Sequence, residues 1–172
     1  MNRRIINNAL VAILFISGLL SCSAPEKNLI RQKWKTIALN NPKMEAEFLK
    51  MQQYIDTVGT LDKFLADTVN IDSLKMSLQT ELNQMKESVR ISRDNTLMEF
   101  KSNGVVYMTS IDGTDSAMYE LEKRTIKIDE AKLKGYGESM TFEILKITTD
   151  SLRLRLIDYG DTSEVTMVPV LD

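Results

Sequence analysis

The chain has 172 residues, with 22 Lys and Arg against 24 Asp and Glu, no histidine and one cysteine. Lack of histidine removes the commonest neutral-pH general base and metal ligand, and a single thiol rules out an internal disulfide. A net charge of −2 without a basic run argues against nucleic acid as a partner.

Arg3 and Arg4 open the chain, and an uncharged, mostly apolar stretch from Ile5 to Ser21 follows. A basic, then apolar, then small-residue order is that of a secretory signal. The stretch is short for a membrane-spanning helix of about 20 residues, and Ser23-Ala24-Pro25-Glu26-Lys27 follows it without a basic flank. Leu19-Leu20-Ser21-Cys22 resembles a bacterial lipobox. The resemblance implies that residues 1–21 are a lipoprotein signal peptide, that Cys22 is acylated, for example with palmitate, and that it becomes the new amino terminus. Such lipidation would account for an unpaired thiol in an exported chain. Each buried methylene adds roughly 0.8 kcal/mol of membrane affinity, so several acyl chains hold a soluble domain firmly. The membrane is then the expected partner, through lipid on Cys22, and by resemblance the site is the outer membrane, facing the periplasm. Cleavage leaves residues 22–172, a normal size for one domain, with 20 basic and 24 acidic residues.

Residues 22–28 are polar, contain Pro25 and read as a tether. Leu29 to Leu39 is a strand candidate carrying the only tryptophan, Trp34. Asn41-Pro42 predicts a helix start, with Asn41 as cap and Pro42 at the first position, where its missing N–H is harmless. Met44, Phe48, Met51, Ile55 and Val58 then form one apolar stripe, and Gly59 ends it. A piece with Leu61, Phe64 and Leu65 leads to Asn70, Asp72 and Ser73, all plausible caps. Leu74, Leu78, Leu82, Met85 and Val89 form a second stripe. The helical hairpin thus occupies about 42–92.

From Asn95 the period becomes two. Asn103-Gly104 reads as a two-residue type I′ hairpin turn. That turn would pair Phe100 with Tyr107 and Met98 with Thr109, burying Met98, Phe100, Val105, Tyr107 and Ile111 on one face. Further strands are Ala117-Tyr119-Leu121, Ile126-Ile128, Met140-Phe142-Ile144, Leu152-Leu154-Leu156 and Ser163 to Val170. A loop spans Ala131 to Glu138. Ile144-Leu145 places two apolar residues side by side, as a bulge would, and Pro169 suits an edge or strand end.

The expected fold is therefore α+β, mainly β: an eight-stranded antiparallel meander with a two-helix insertion between strands 1 and 2. A meander of this number can close into a barrel. The chain resembles the lipocalin-like domains of Bacteroidota lipoproteins. The resemblance rests on Trp34 in Ile30-Arg31-Gln32-Lys33-Trp34-Lys35, the Phe100-Lys101-Ser102-Asn103-Gly104 hairpin, the meander, and Leu152-Arg153-Leu154 near the end. It covers Leu29–Leu39 and Asn95–Val170, within a domain of residues 29–172. Gln32 stands where lipocalins usually have glycine. The resemblance implies a closed barrel with a late arginine over the tryptophan, for which Arg153 and Arg155 are the candidates.

Two functions fit these residues. One is a binding module, with Trp34, Phe100, Tyr107, Tyr119, Phe142 and Leu154 lining a cup for a small apolar or amphipathic ligand, and the helices acting as a lid or a plug. The other is a structural or protein-interaction module of the envelope, with a filled barrel and a working surface on the hairpin. There the Met44, Met51, Met85 stripe would serve as adaptable contact or as core filler. Asp112, Asp115, Asp129, Glu130, Asp158 and Asp161 lie at expected turns, and Asp112-Gly113-Thr114-Asp115 lacks the ligand alternation of a calcium loop. Neither an enzyme nor a bound cofactor or metal is expected.

Overall fold

The computed structural model describes residues 24–60, 69–158 and 161–171. The leader with Cys22 and the piece with Leu61, Phe64 and Leu65 lie outside them. Among the described residues, eight strands in chain order close into one antiparallel barrel. This is the up-and-down topology of lipocalins, and closure removes the unpaired edges of an open sheet.

The segment expected to be a tether is helical instead, and α1 spans Ala24–Ile30. Seven residues are too few to hold a helix alone, so tertiary contacts supply the stability. Ile30 is buried against the barrel, and Glu26 Oε1 meets Arg124 Nη1 at 3.4 Å. The first strand consequently starts later than Leu29, with β1 at Lys33–Asn40.

Helix α2 spans Pro42–Thr57, and the Asn41 side chain accepts from the Met44 N–H at 2.9 Å as expected of a cap. Helix α3 spans Ile71–Asn95, past the expected end near 92, and Asn70 caps it by accepting from the Ser73 N–H at 3.0 Å. Gly59, at φ 84°, joins this region tightly: a Cβ there would sit 2.6 Å from Ile71 Cγ2. Ile55, Val58 and Leu82 are buried apart from the barrel's own cluster. The second stripe fails at Met85, which is exposed. Helix α3 packs on β1 and β3, and α2 on β8, where Asn41 Nδ2 donates to Ser163 Oγ at 2.9 Å.

The meander continues through β2 (Leu97–Phe100), β3 (Val105–Ser110), β4 (Gly113–Glu122) and β5 (Thr125–Asp129). A short helix, α4 (Ala131–Lys134), occupies part of the expected loop before β6 (Ser139–Ile147), β7 (Leu152–Asp158) and β8 (Asp161–Pro169). The register shifts between Ile144 and Lys146, where the doubled apolar pair predicts a bulge. Pro169 ends β8 opposite Trp34.

The β2–β3 turn differs from expectation by one residue. Lys101 N–H donates to Val105 O at 2.8 Å and Gly104 N–H to Lys101 O at 3.2 Å. The loop is therefore Ser102-Asn103-Gly104, with Gly104 at φ 83°, the three-residue form in which glycine takes the left-handed position. Phe100 accordingly pairs with Val106, and Glu99 with Tyr107. A one-residue slip exchanges the two faces of a strand. Val106 is fully buried, whereas Tyr107 and Ile111 are exposed and Val105 is only half-buried. Met98 and Phe100, on the unshifted strand, face inward as expected.

Candidate functional site

Side chains alternating inward from all eight strands fill most of the barrel. Toward α1 large side chains occupy the interior. Trp34 is fully buried, and its Nε1–H donates to Ile30 O at 3.1 Å. Phe100 is 2% exposed and meets Tyr119 edge-on, with ring centroids 5.1 Å apart; Tyr119 in turn donates its hydroxyl to Lys101 O at 2.9 Å. Arg124 closes this end, donating from Nε to Ile144 O and from Nη2 to Leu145 O, each at 2.9 Å. These acceptors are the carbonyls that the β6 bulge displaces from regular pairing.

Arg153 and Arg155 do not lie over Trp34. They alternate with the buried Leu152 and Leu154 and thus point outward, where Arg153 meets Glu164 at 3.0 Å and Arg155 meets Glu164 at 2.8 Å and Glu143 at 3.3 Å. The hydrogen bond from Arg155 and then that from Arg153 hold the Glu164 carboxyl below its ordinary range.

Toward the helices the packing is incomplete. An apolar cavity of about 200 Å³ remains, lined by Thr36, Thr96, Met98, Met108, Met140, Phe142, Leu154, Val165 and Met167. None of these residues is ionisable. Thr96 is also the C-cap of α3, but no residue within α2 or α3 lines the cavity. Among the described residues, α2 and α3 therefore flank this end without lining the cavity. Thr36 is 3% exposed, and its Oγ1 has no hydrogen-bond partner among the described residues. Its backbone is satisfied, the N–H donating to Thr96 O at 3.0 Å.

The six aromatic and leucine positions read as lining residues thus separate. Phe142 and Leu154 line this cavity. Trp34 and Phe100 are filling at the other end. Tyr119 borders a second pocket of about 160 Å³ beside α1, with Lys27, Ile30, Arg31, Ser102, Gly104 and Leu121. Tyr107 lies outside the barrel, in a surface groove with Lys33, Glu99 and Lys101, because of the turn slip. Sequence reasoning passed over the four methionines of the cavity as lining. Met98 and Met140 were legible as neighbours, two residues away, of Phe100 and Phe142, and Thr36 as that of Trp34; Met108 was hidden by the wrong register. Among the described residues no three carboxylates or other ligating side chains gather in a metal-sized group, and no helix is long and apolar enough to cross a membrane.

No protein-family model and no curated protein matches the chain. Among solved structures it is similar to a lipocalin-like protein from Bacteroides uniformis, at 22% identity and a TM-score of 0.33, over 45% of this chain and 80% of that one. It is also similar to a DUF4847 family protein from Bacteroides vulgatus, at 11% identity and a TM-score of 0.43, over 83% of this chain and 95% of that one. The lipocalin-like fold rests on the strand pairings themselves.

Proposed function

We propose that this is a lipid-anchored envelope protein whose barrel binds a small apolar or amphipathic molecule in the cavity beside the helices, and that it is a binding protein and not an enzyme. The observation that carries this reading is the cavity itself. An interior normally packs to crystal-like density with few voids larger than a water molecule, yet here about 200 Å³ stays open within an apolar lining. Mass spectrometry of the mature protein isolated from its native host is expected to find a small hydrophobe in substoichiometric or full occupancy. A protein that arrives empty and responds to no member of a broad apolar library would overturn the binding reading.

The anchor is supported by the leader alone. Cys22→Ser is expected to release the protein from the membrane fraction, by loss of acylation, and retention of the variant at wild-type levels would remove the lipidation from the proposal. Attachment to the outer membrane on its periplasmic side belongs to the same reading.

A second reading, an interaction module, is favoured by one feature of the hairpin. Leu49, Tyr54 and Met76 are 59%, 50% and 70% exposed, which is apolar surface that the fold itself does not use.

A further inference from the structure

The size, neutrality and one unsatisfied hydroxyl of the cavity restrict its occupant. We propose that it takes uncharged molecules of about eight non-hydrogen atoms that carry a single hydrogen-bonding group, and that Thr36 is the residue that reads this group. The inference rests on the binding reading above and narrows it to a ligand class.

Size comes first. An apolar cavity of about 150 Å³ lodges benzene, so one of about 200 Å³ suits a ring with one or two substituents, or a chain of similar bulk. This is below the roughly 300–1,000 Å³ of common small-molecule pockets, and a long acyl chain would not fit wholly inside it. Charge comes next. With no ionisable residue among the described residues of the lining, a carboxylate or ammonium there would lose its hydration and gain no counter-charge, a cost of several kcal/mol that drives such groups to remain in water.

Thr36 supplies the selectivity. A buried hydroxyl without a partner is unfavourable, and Thr36 Oγ1 is in that state behind the cavity wall, to which Thr36 presents only apolar atoms. Its methyl and hydroxyl branch from one Cβ, so one step between staggered χ1 wells carries the hydroxyl into the place the methyl held and presents it to an occupant. The strand's backbone pairing breaks register just beyond this residue, between Thr36 and Ala38, so the side chain stands at an irregular point of the wall. Met98, Met108, Met140 and Met167 surround the space. Their thioethers adapt to an occupant's shape and make favourable contacts with aromatic ring edges, which favours a phenol-like ring over an aliphatic chain.

The test titrates the full chain, wild type and variants in the same detergent so that micelle partitioning cancels, with 4-methylphenol, 1,4-xylene and benzoate. The shifts of the methionine ε-methyl carbons are followed by NMR. Thr36→Val is expected to weaken 4-methylphenol about tenfold, the loss of roughly one hydrogen bond, while 1,4-xylene is unchanged or tighter. Thr36→Ser, which keeps the hydroxyl, is expected to retain the preference. Equal effects of Thr36→Val on both ligands, or benzoate binding as well as 4-methylphenol, would overturn the ligand class and leave the binding reading standing. Silence of Met98, Met108, Met140 and Met167 towards all three compounds would instead sink the binding reading itself.

Discussion

Trp34→Ala is expected to lower the unfolding free energy by about 3–5 kcal/mol, the usual cost of deleting a large buried aromatic. The residue has no exposed surface and stands where β1 meets both β2 and β8, opposite Met98 and Pro169. Truncation there opens a void among side chains from several strands. It also releases α1, because the indole N–H is bonded to Ile30 O. Trp34→Phe separates the two effects. It keeps most of the ring and loses the hydrogen bond, so about 1–2 kcal/mol is expected. Urea unfolding followed by circular dichroism measures both, and limited proteolysis near Lys27 reports α1 directly. A Trp34→Ala protein as stable as wild type would mean that this end of the barrel is not packed as described.

The second large effect tests the register of β3. Val106→Asp should leave too little stability for a folded barrel at room temperature, since a carboxylate would replace a fully buried methyl pair with no partner, a cost of several kcal/mol. Tyr107→Ser, one residue on, is expected to cost about 1 kcal/mol or less, because Tyr107 is 40% exposed and surface substitutions are mild. The type I′ turn would reverse the order, making position 107 the critical one. Soluble yield and thermal midpoint of the two variants decide between the registers.

That reversal shows where the sequence was ambiguous. Asn103-Gly104 satisfies a two-residue turn, in which both residues take positive φ, and equally a three-residue turn, in which Gly104 alone does. Only Gly104 has positive φ here. The flanking Val105 and Val106 are both apolar, so alternation could not choose between them. Elsewhere the pattern was decisive: Leu152, Leu154 and Leu156 alternate with Arg153 and Arg155, and Ile144-Leu145 marked the bulge. Helix α1 was illegible because its seven residues hold together through Ile30, Trp34 and Arg124, contacts that cross the chain. The cavity was legible only in part. Its methionines come from β2, β3, β6 and β8, and what stays unfilled depends on how all of them pack at once.

The position of α2 and α3 in the chain between β1 and β2 has a kinetic consequence. From β2 to β8 each strand pairs with the next through a short connection, and such local contacts form fast. Strand β1 is different, because both of its neighbours are remote in the chain, Leu97–Glu99 on one side and Glu164–Pro169 on the other. Its docking must close a long loop through the helices and a longer one through the whole meander, and both closures carry an entropic cost before any pairing is gained. The first strand to be synthesised is therefore expected to be the last to join. Until it joins, the pairing edges of β2 and β8 stay open, which makes the slow step of folding and the window for misassembly one expected event: the arrival of Trp34.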